Sequence, residues 1–316
     1  MAQRGRTLEL SFTLPVLATD GERLSKPLEI QILRAVTPAG GDTSSTLTGL
    51  NLWLALSAED SARCKQGEKI VFPATLSDEE FRQGRDSTLA FAVRTLTRGF
   101  RRRPVESGTS KVVHTTVLDV TEPVKDLQVQ AAEHALELSW SLPARTLSGQ
   151  PVSGPVAYRV FRSRTGKPGS FQLLGESSTA SYRDAAFEFE RTYFYKVATV
   201  SREAGRLAQS EDSAVAEITP RDVFPPATPQ DLSVIYTADA VELIWAANTE
   251  PDLAGYNVYR REEAGAAQRV NPEPLRTPIF RDTSVKAEHK YAYYVTARDL
   301  TNNESVPSEE VPVETR

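Results

Sequence analysis

Apolar and polar residues alternate along most of this chain in short runs broken by turn-forming residues. In "YFYKVAT", Tyr193, Tyr195, Val197 and Thr199 fall on one side of an extended strand, because successive side chains of a strand point to opposite faces. "YAYYVTA" from Tyr291 has the same pattern, as do "LELSFTLP" from Leu8, "LELSWSLP" from Leu136 and "VELIWAAN" from Val241. Such runs, rich in Val, Tyr, Phe and Thr and separated by clusters like "RTGKPGS" and "TNNES", predict antiparallel strands with one face buried. One stretch departs from the pattern. "SDEEFRQG" places Ser77 as an N-cap, Glu80 at the capping-box position and Gly84 as a stop, which predicts a helical turn or two.

The runs recur at fixed intervals. "DLQV" at Asp126 returns as "DLSV" at Asp231, and Trp140 returns as Trp245, both 105 residues on. "YRVFR" at Tyr158 returns as "YNVYR" at Tyr256, "YRD" at Tyr182 as "FRD" at Phe280, and "YFYKVAT" as "YAYYVTA", each 98 residues on. Register therefore slips once, where the earlier copy carries "TLSGQPVSG", and a loop insertion is expected there. A looser copy precedes these two. Phe12 takes the Trp place, Ile30 and Leu89 take the places of Tyr158 and Tyr193, and an insertion of 24 residues falls within 37–88. The counterpart of the "DLxV" run would lie before Met1, so the first repeat is expected to lack its opening strand. On that reading native sequence precedes this chain, and an uncovered sheet edge is left to pair with another chain.

The tryptophan on the second strand (Trp140, Trp245), the tyrosine early in the third (Tyr158, Tyr256) and the Y-x-[YF]-x-V runs from Tyr193 and Tyr291 resemble fibronectin type III domains. "NTEPDLAGYNVYR" and "DLTNNESVPSEEV" resemble the bacterial form of that module, which occurs in exported proteins and lipoproteins. The resemblance implies an all-β protein of three tandem immunoglobulin-like (fibronectin type III) β-sandwiches, the first tyrosine of each Y-x-[YF] run making a tyrosine corner. The implied modules are 1–121, which is divergent, lacks its first strand and carries the insertion, then 122–221 and 222–316. The prolines of "DVTEPVKDL" and "TPRDVFPPATPQDL" predict stiff, extended linkers and a rod of beads.

A length of 316 residues suits two or three domains, and a net charge of −5 argues against nucleic-acid binding. A single cysteine, Cys64, excludes an intramolecular disulfide or a multi-thiolate metal site. His114, His134 and His289 fall one to each repeat, and neither a phosphate loop, a nucleophile elbow nor an HExxH helix occurs. No catalytic residues, cofactor or metal are expected. "DLTNNES" offers Asp299, Asn302, Asn303 and Glu304 as oxygen ligands for calcium, and the same residues suit a tight turn, which is the favoured reading. The candidate binding residues are Arg98, Phe100, Arg101, Arg102 and Arg103, in the loop that the resemblance makes a recognition loop; clustered arginines suit carboxylates or phosphates.

The expected function is a non-catalytic binding or spacer protein, exported to the periplasm, cell envelope or extracellular space, with a protein or glycan partner at the cell surface. A lipid anchor upstream of Met1 would fit the resemblance. The alternative is a set of accessory modules from a larger secreted polysaccharide-degrading enzyme whose catalytic domain lies outside this chain.

Overall fold

The computed structural model describes residues 2–16, 28–38, 49–85, 87–98, 103–153, 156–203, 205–263 and 265–316. They form two compact units, Met1–Thr219 and Pro220–Arg316. The alternating runs become strands, and three hydrophobic clusters account for their buried faces.

In the first repeat, β1 (Ala2–Arg4), β2 (Thr7–Thr13), β5 (Lys65–Gln66) and β6 (Lys69–Thr75) lie in one sheet. The other sheet holds β3 (Glu29–Pro38), β4 (Asn51–Leu56), β7 (Ser87–Arg98), β8 (Pro104–Glu106) and β9 (Val113–Thr115). Leu8, Leu10, Ile30, Ile32, Ile70 and Leu89 close the core between them. Much of the stretch read as inserted is thus the sandwich itself, in β4 and β6. The surplus goes into the connections, including α1 (Ala58–Arg63) before β5 and α2 (Asp78–Arg85) before β7. Cys64 packs partly buried against this core.

The capping box forms as read. Glu80 N donates to Ser77 Oγ at 3.2 Å, and Ser77 N donates back to Glu80 Oε2 at 2.8 Å. Gly84 does not end the helix, which runs to Arg85. It is buried against Val117, where a Cβ would lie 2.6 Å from Val117 Cγ2 and only glycine fits. Glu80 also accepts from Trp53 Nε1 and pairs with Arg34, whose guanidinium lies over the Trp53 ring. Burial alone would raise its carboxyl, but the Ser77, Trp53 and Arg34 contacts outweigh that and hold it down at about 2. Ser77→Ala should cost about 1 kcal/mol, read as a lower urea midpoint for the first unit.

The second repeat contains β10 (Lys125–Ala132), β11 (Ala135–Ser141), β12 (Ala157–Ser163), β13 (Gln172–Ser177), β14 (Ser181–Asp184), β15 (Tyr193–Glu203), β16 (Arg206–Gln209) and β17 (Ala216–Ile218). One sheet has the order β10-β11-β14; in the other, β12 and β15 pair, with β13 outside β12 and β16 and β17 on the far side of β15. The third repeat, which makes the second unit, has β18 (Ser233–Thr237), β19 (Ala240–Ile244), β20 (Leu253–Glu262), β21 (Gln268–Arg269), β22 (Ile279–Asp282), β23 (Lys290–Asp299) and β24 (Val311–Glu314). Its sheets, β18-β19-β22 and β21-β20-β23-β24, repeat that plan. Local backbone recurs too. Asp126 and Asp231 both have φ near +55°, at 54° and 57°, and Glu190 and Glu288 both have 59°.

The joint between the first two repeats departs from the free, extended linker expected there. A short strand, β1, precedes β2 and covers its edge along Thr7–Glu9. It pairs antiparallel with β2 and parallel with β16 of the second repeat, through Gln3 opposite Ala208 and Arg4 opposite Gln209, giving one nine-stranded sheet through both repeats. Nor is "DVTEPVKDL" a free spacer, since its Val120 and Val124 and the preceding Leu118 are buried. The "TLSGQPVSG" insertion forms a small hairpin whose Leu147 packs on Leu118, Val120 and Ala208, with Leu147 N donating to Val120 O at 2.9 Å. Its Ser148 bonds both carboxylate oxygens of Asp119. At the centre of this joint is the buried Gln3 side chain. Its Nε2 donates to Leu118 O at 2.8 Å and Gly5 O at 3.0 Å, while its Oε1 accepts from Leu118 N at 2.9 Å.

Candidate binding surfaces

The paired tryptophans and tyrosines are core, not surface. Trp140 meets Tyr158 edge-on at 5.2 Å between ring centroids, and Trp245 meets Tyr256 at 5.1 Å. Beside them the last residue of each "RD" marker anchors a buried polar knot. Asp184 Oδ2 accepts from Arg162 Nη1 and Tyr195 OH, both at 2.7 Å, and Asp282 Oδ2 accepts from Arg260 Nη1 at 2.8 Å and Tyr293 OH at 2.9 Å. Burial raises both phenols well above their ordinary range, and the neighbouring carboxylates add to it. These titratable groups have their bonding capacity spent inside the sandwich, and so they stiffen it.

A second device was not anticipated from sequence. Ser107 and Ser110, Ser210 and Ser213, and Ser305 and Ser308 occupy the same place after β7, β15 and β23, the sixth strand of the shared plan in each repeat. Each Oγ accepts a backbone N–H from that strand: Thr95 and Val93, Thr199 and Val197, Ala297 and Val295, all at 2.9–3.0 Å. Each serine N–H returns a bond to the same residue's carbonyl. The predicted tyrosine corners also form, with Tyr193 OH accepting from Glu188 N at 2.8 Å and Tyr291 OH from Lys286 N at 3.1 Å. With the sheet order above, the architecture is decided. These are fibronectin type III sandwiches.

The fibronectin type III repeats present their loops and outer sheet faces to any partner. Of the arginine-rich candidate loop, Phe100, Arg101 and Arg102 lie outside the described residues, as does the Arg98 side chain; Arg103 is exposed just before β8. The "DLTNNES" residues do not converge on one point. Asp299 Oδ1 accepts from Thr301 N, Thr301 Oγ1 and Asn303 N and so builds the turn, whereas Asn302 accepts from Arg298. Glu304 turns onto the sheet, where one oxygen accepts from Asn257, Tyr259 and Thr296. Burial works against the Glu304 charge, and those three bonds overcome it, leaving the carboxyl below its usual range. The carboxylates near Asp299 are those of Asp222 and Asp252, within 4.8 Å of one another. His114 and His134 are exposed, and His289 is tied to Ala287 O.

The outer faces of the three-stranded sheets differ between repeats. In the second, Gln130, Ser139 and Ser181 flank the Glu137–Arg183 pair; in the third, Ile235, Ile244 and Ile279 flank Glu242 and Arg281 at the matching register. The first face is hydroxylated and the second apolar on one scaffold.

No family model matches the chain. It is 31% identical over 210 residues to Exoglucanase B of Cellulomonas fimi, a match covering 64% of this chain and 17% of that protein. Among solved structures, the FN1–FN3 domains of chicken CNTN1 align with 100% of this chain and 97% of their own at 14% identity and a TM-score of 0.30. A structure described as that of a myokine aligns with 28% of this chain and 97% of its own, at 17% identity and a TM-score of 0.26.

Proposed function

We propose that this chain is a set of non-catalytic accessory modules from an exported polysaccharide-degrading enzyme. The observation that carries this reading is the 31% identity over 210 residues with Exoglucanase B. It favours the second of the two readings left open by the sequence over a free-standing envelope protein, and it supports a glycan as the partner. The packing supports it as well: the charged side chains buried in the sandwiches serve the fold, as Asp184 and Asp282 do.

The test is sugar release from cellulose. The purified chain alone should release none. Fused to a glucanase catalytic domain, it should raise release from insoluble cellulose and leave a soluble substrate unaffected. Equal rates with and without the chain on the insoluble substrate would reject the reading.

A further inference from the structure

The joint between the first two repeats makes a surface that neither repeat has alone. On the outer face of the nine-stranded sheet, Arg4 from β1, Thr7 and Glu9 from β2, Pro73 from β6, Phe161 from β12 and Gln209 from β16 line a shallow groove of about 350 Å³. The pleat explains why these residues gather. Gln3, Leu8, Leu10, Ala74 and Ala208 point inward and are buried, so their strand neighbours face out together. The parallel β1–β16 pairing brings Arg4 beside Gln209, and the antiparallel β2–β6 pairing sets Glu9 opposite Pro73.

The chemistry of the lining is mixed in a particular way. Phe161 and Pro73 supply apolar walls. The Phe161 ring is held by Lys196, whose Nζ lies 5.5 Å from its centroid and is tied to Asp212. Arg4 donates one guanidinium N–H to Asp212 at 2.6 Å and keeps other donors for the groove. Among the described residues, Glu9 has no ion-pair partner and the Gln209 amide no side-chain hydrogen bond. An aromatic and a prolyl wall flanked by the remaining Arg4 donors, the Glu9 carboxylate and the Gln209 amide match a ligand with C–H faces and hydroxyl edges. The open shape suits an extended chain passing through, not an enclosed small molecule.

We propose that this groove binds a β-linked glucan strand, with the sugar's C–H face on Phe161 and its hydroxyls on Arg4, Glu9 and Gln209. The glucan class rests on the accessory-module reading above; the groove rests on the joint.

The experiment is an amide NMR titration of the full chain with cellohexaose. Saturable shifts should centre on Arg4, Thr7 and Gln209. Phe161→Ala and Gln209→Ala should each weaken binding at least fivefold, and Tyr294→Ala, in the other unit, should leave it unchanged. Gln209→Ala removes an amide that makes no side-chain hydrogen bond among the described residues, so it reports on binding even if Phe161→Ala loosens the sheet. Shifts elsewhere, saturation by a peptide but not by cellohexaose, or full affinity in Gln209→Ala would overturn the assignment. Gain in the fused-enzyme assay without cellohexaose binding would reject the groove and keep the accessory role. Cellohexaose binding in the groove without that gain would keep the groove and reject the role.

Discussion

Asp282→Ala should destabilise the unit Pro220–Arg316 by about 3–5 kcal/mol, the usual cost of removing one partner of a buried ion pair. Asp282 is 3% exposed, and its loss strands the buried Tyr293 OH and takes the counter-ion from Arg260, whose Nη1 keeps only Ser284 Oγ. It also removes the acceptor for Ser284 N and Ser284 Oγ. Burial alone would raise this carboxyl. The two Ser284 bonds, the Tyr293 bond and the Arg260 charge outweigh burial and hold it below its usual range. A carboxyl whose folded pKa is depressed contributes stability that is complete above the unfolded pKa, near 3.8, and is lost as pH falls through the lower folded value. Urea unfolding followed by Trp245 fluorescence should therefore show wild-type stability falling below about pH 4, with that limb flattened in Asp282→Ala. A loss under 1 kcal/mol at neutral pH would show that the knot is solvated and contributes little.

Gln3→Leu should cost the first unit about 2–4 kcal/mol, since each buried polar group left without a partner costs about 1–3 kcal/mol. The leucine fills similar volume and leaves Leu118 N and Leu118 O unbonded. Because Gln3 lies on the strand shared by both repeats, the effect should reach beyond its own sandwich. Hydrogen exchange should speed up at β16 as well as at β1 and β2. Faster exchange confined to β1 would mean that the two repeats are stable independently of the shared sheet.

These two sites differ in how far they were legible beforehand. Asp282 sits in an "FRD" marker that recurs 98 residues from "YRD", and the alternating strands around it carry a clear period. Gln3 carried no such signal. A strand of three residues is too short for any period to register, and its one inward residue is polar. The hairpin insertion was located from the slip in register, yet its role turns on one leucine, Leu147, with no periodic partner. The prolines of the first junction suggest a free linker, although "VLDVTEPV" from Val117 is rich in apolar residues, and Val117, Leu118, Val120 and Val124 are buried. The serine pairs stood in plain view as "SGTS", "SEDS" and "SVPS". Serine is common in turns, and only their shared position after the sixth strand distinguishes these.

Those serine pairs bear on a hazard peculiar to chains of similar neighbours. Repeats joined on one chain meet at high local concentration, where a bare strand edge can recruit its counterpart next door and lock in a swapped or fibrillar assembly. Here the sixth strand of each repeat hands alternate N–H groups to hydroxyls on an irregular segment, so the outer boundary there offers no continuous ladder. Replacing both serines of a pair by valine would restore regular strand character at that margin, turning a self-limiting border into a template for misassembly during refolding.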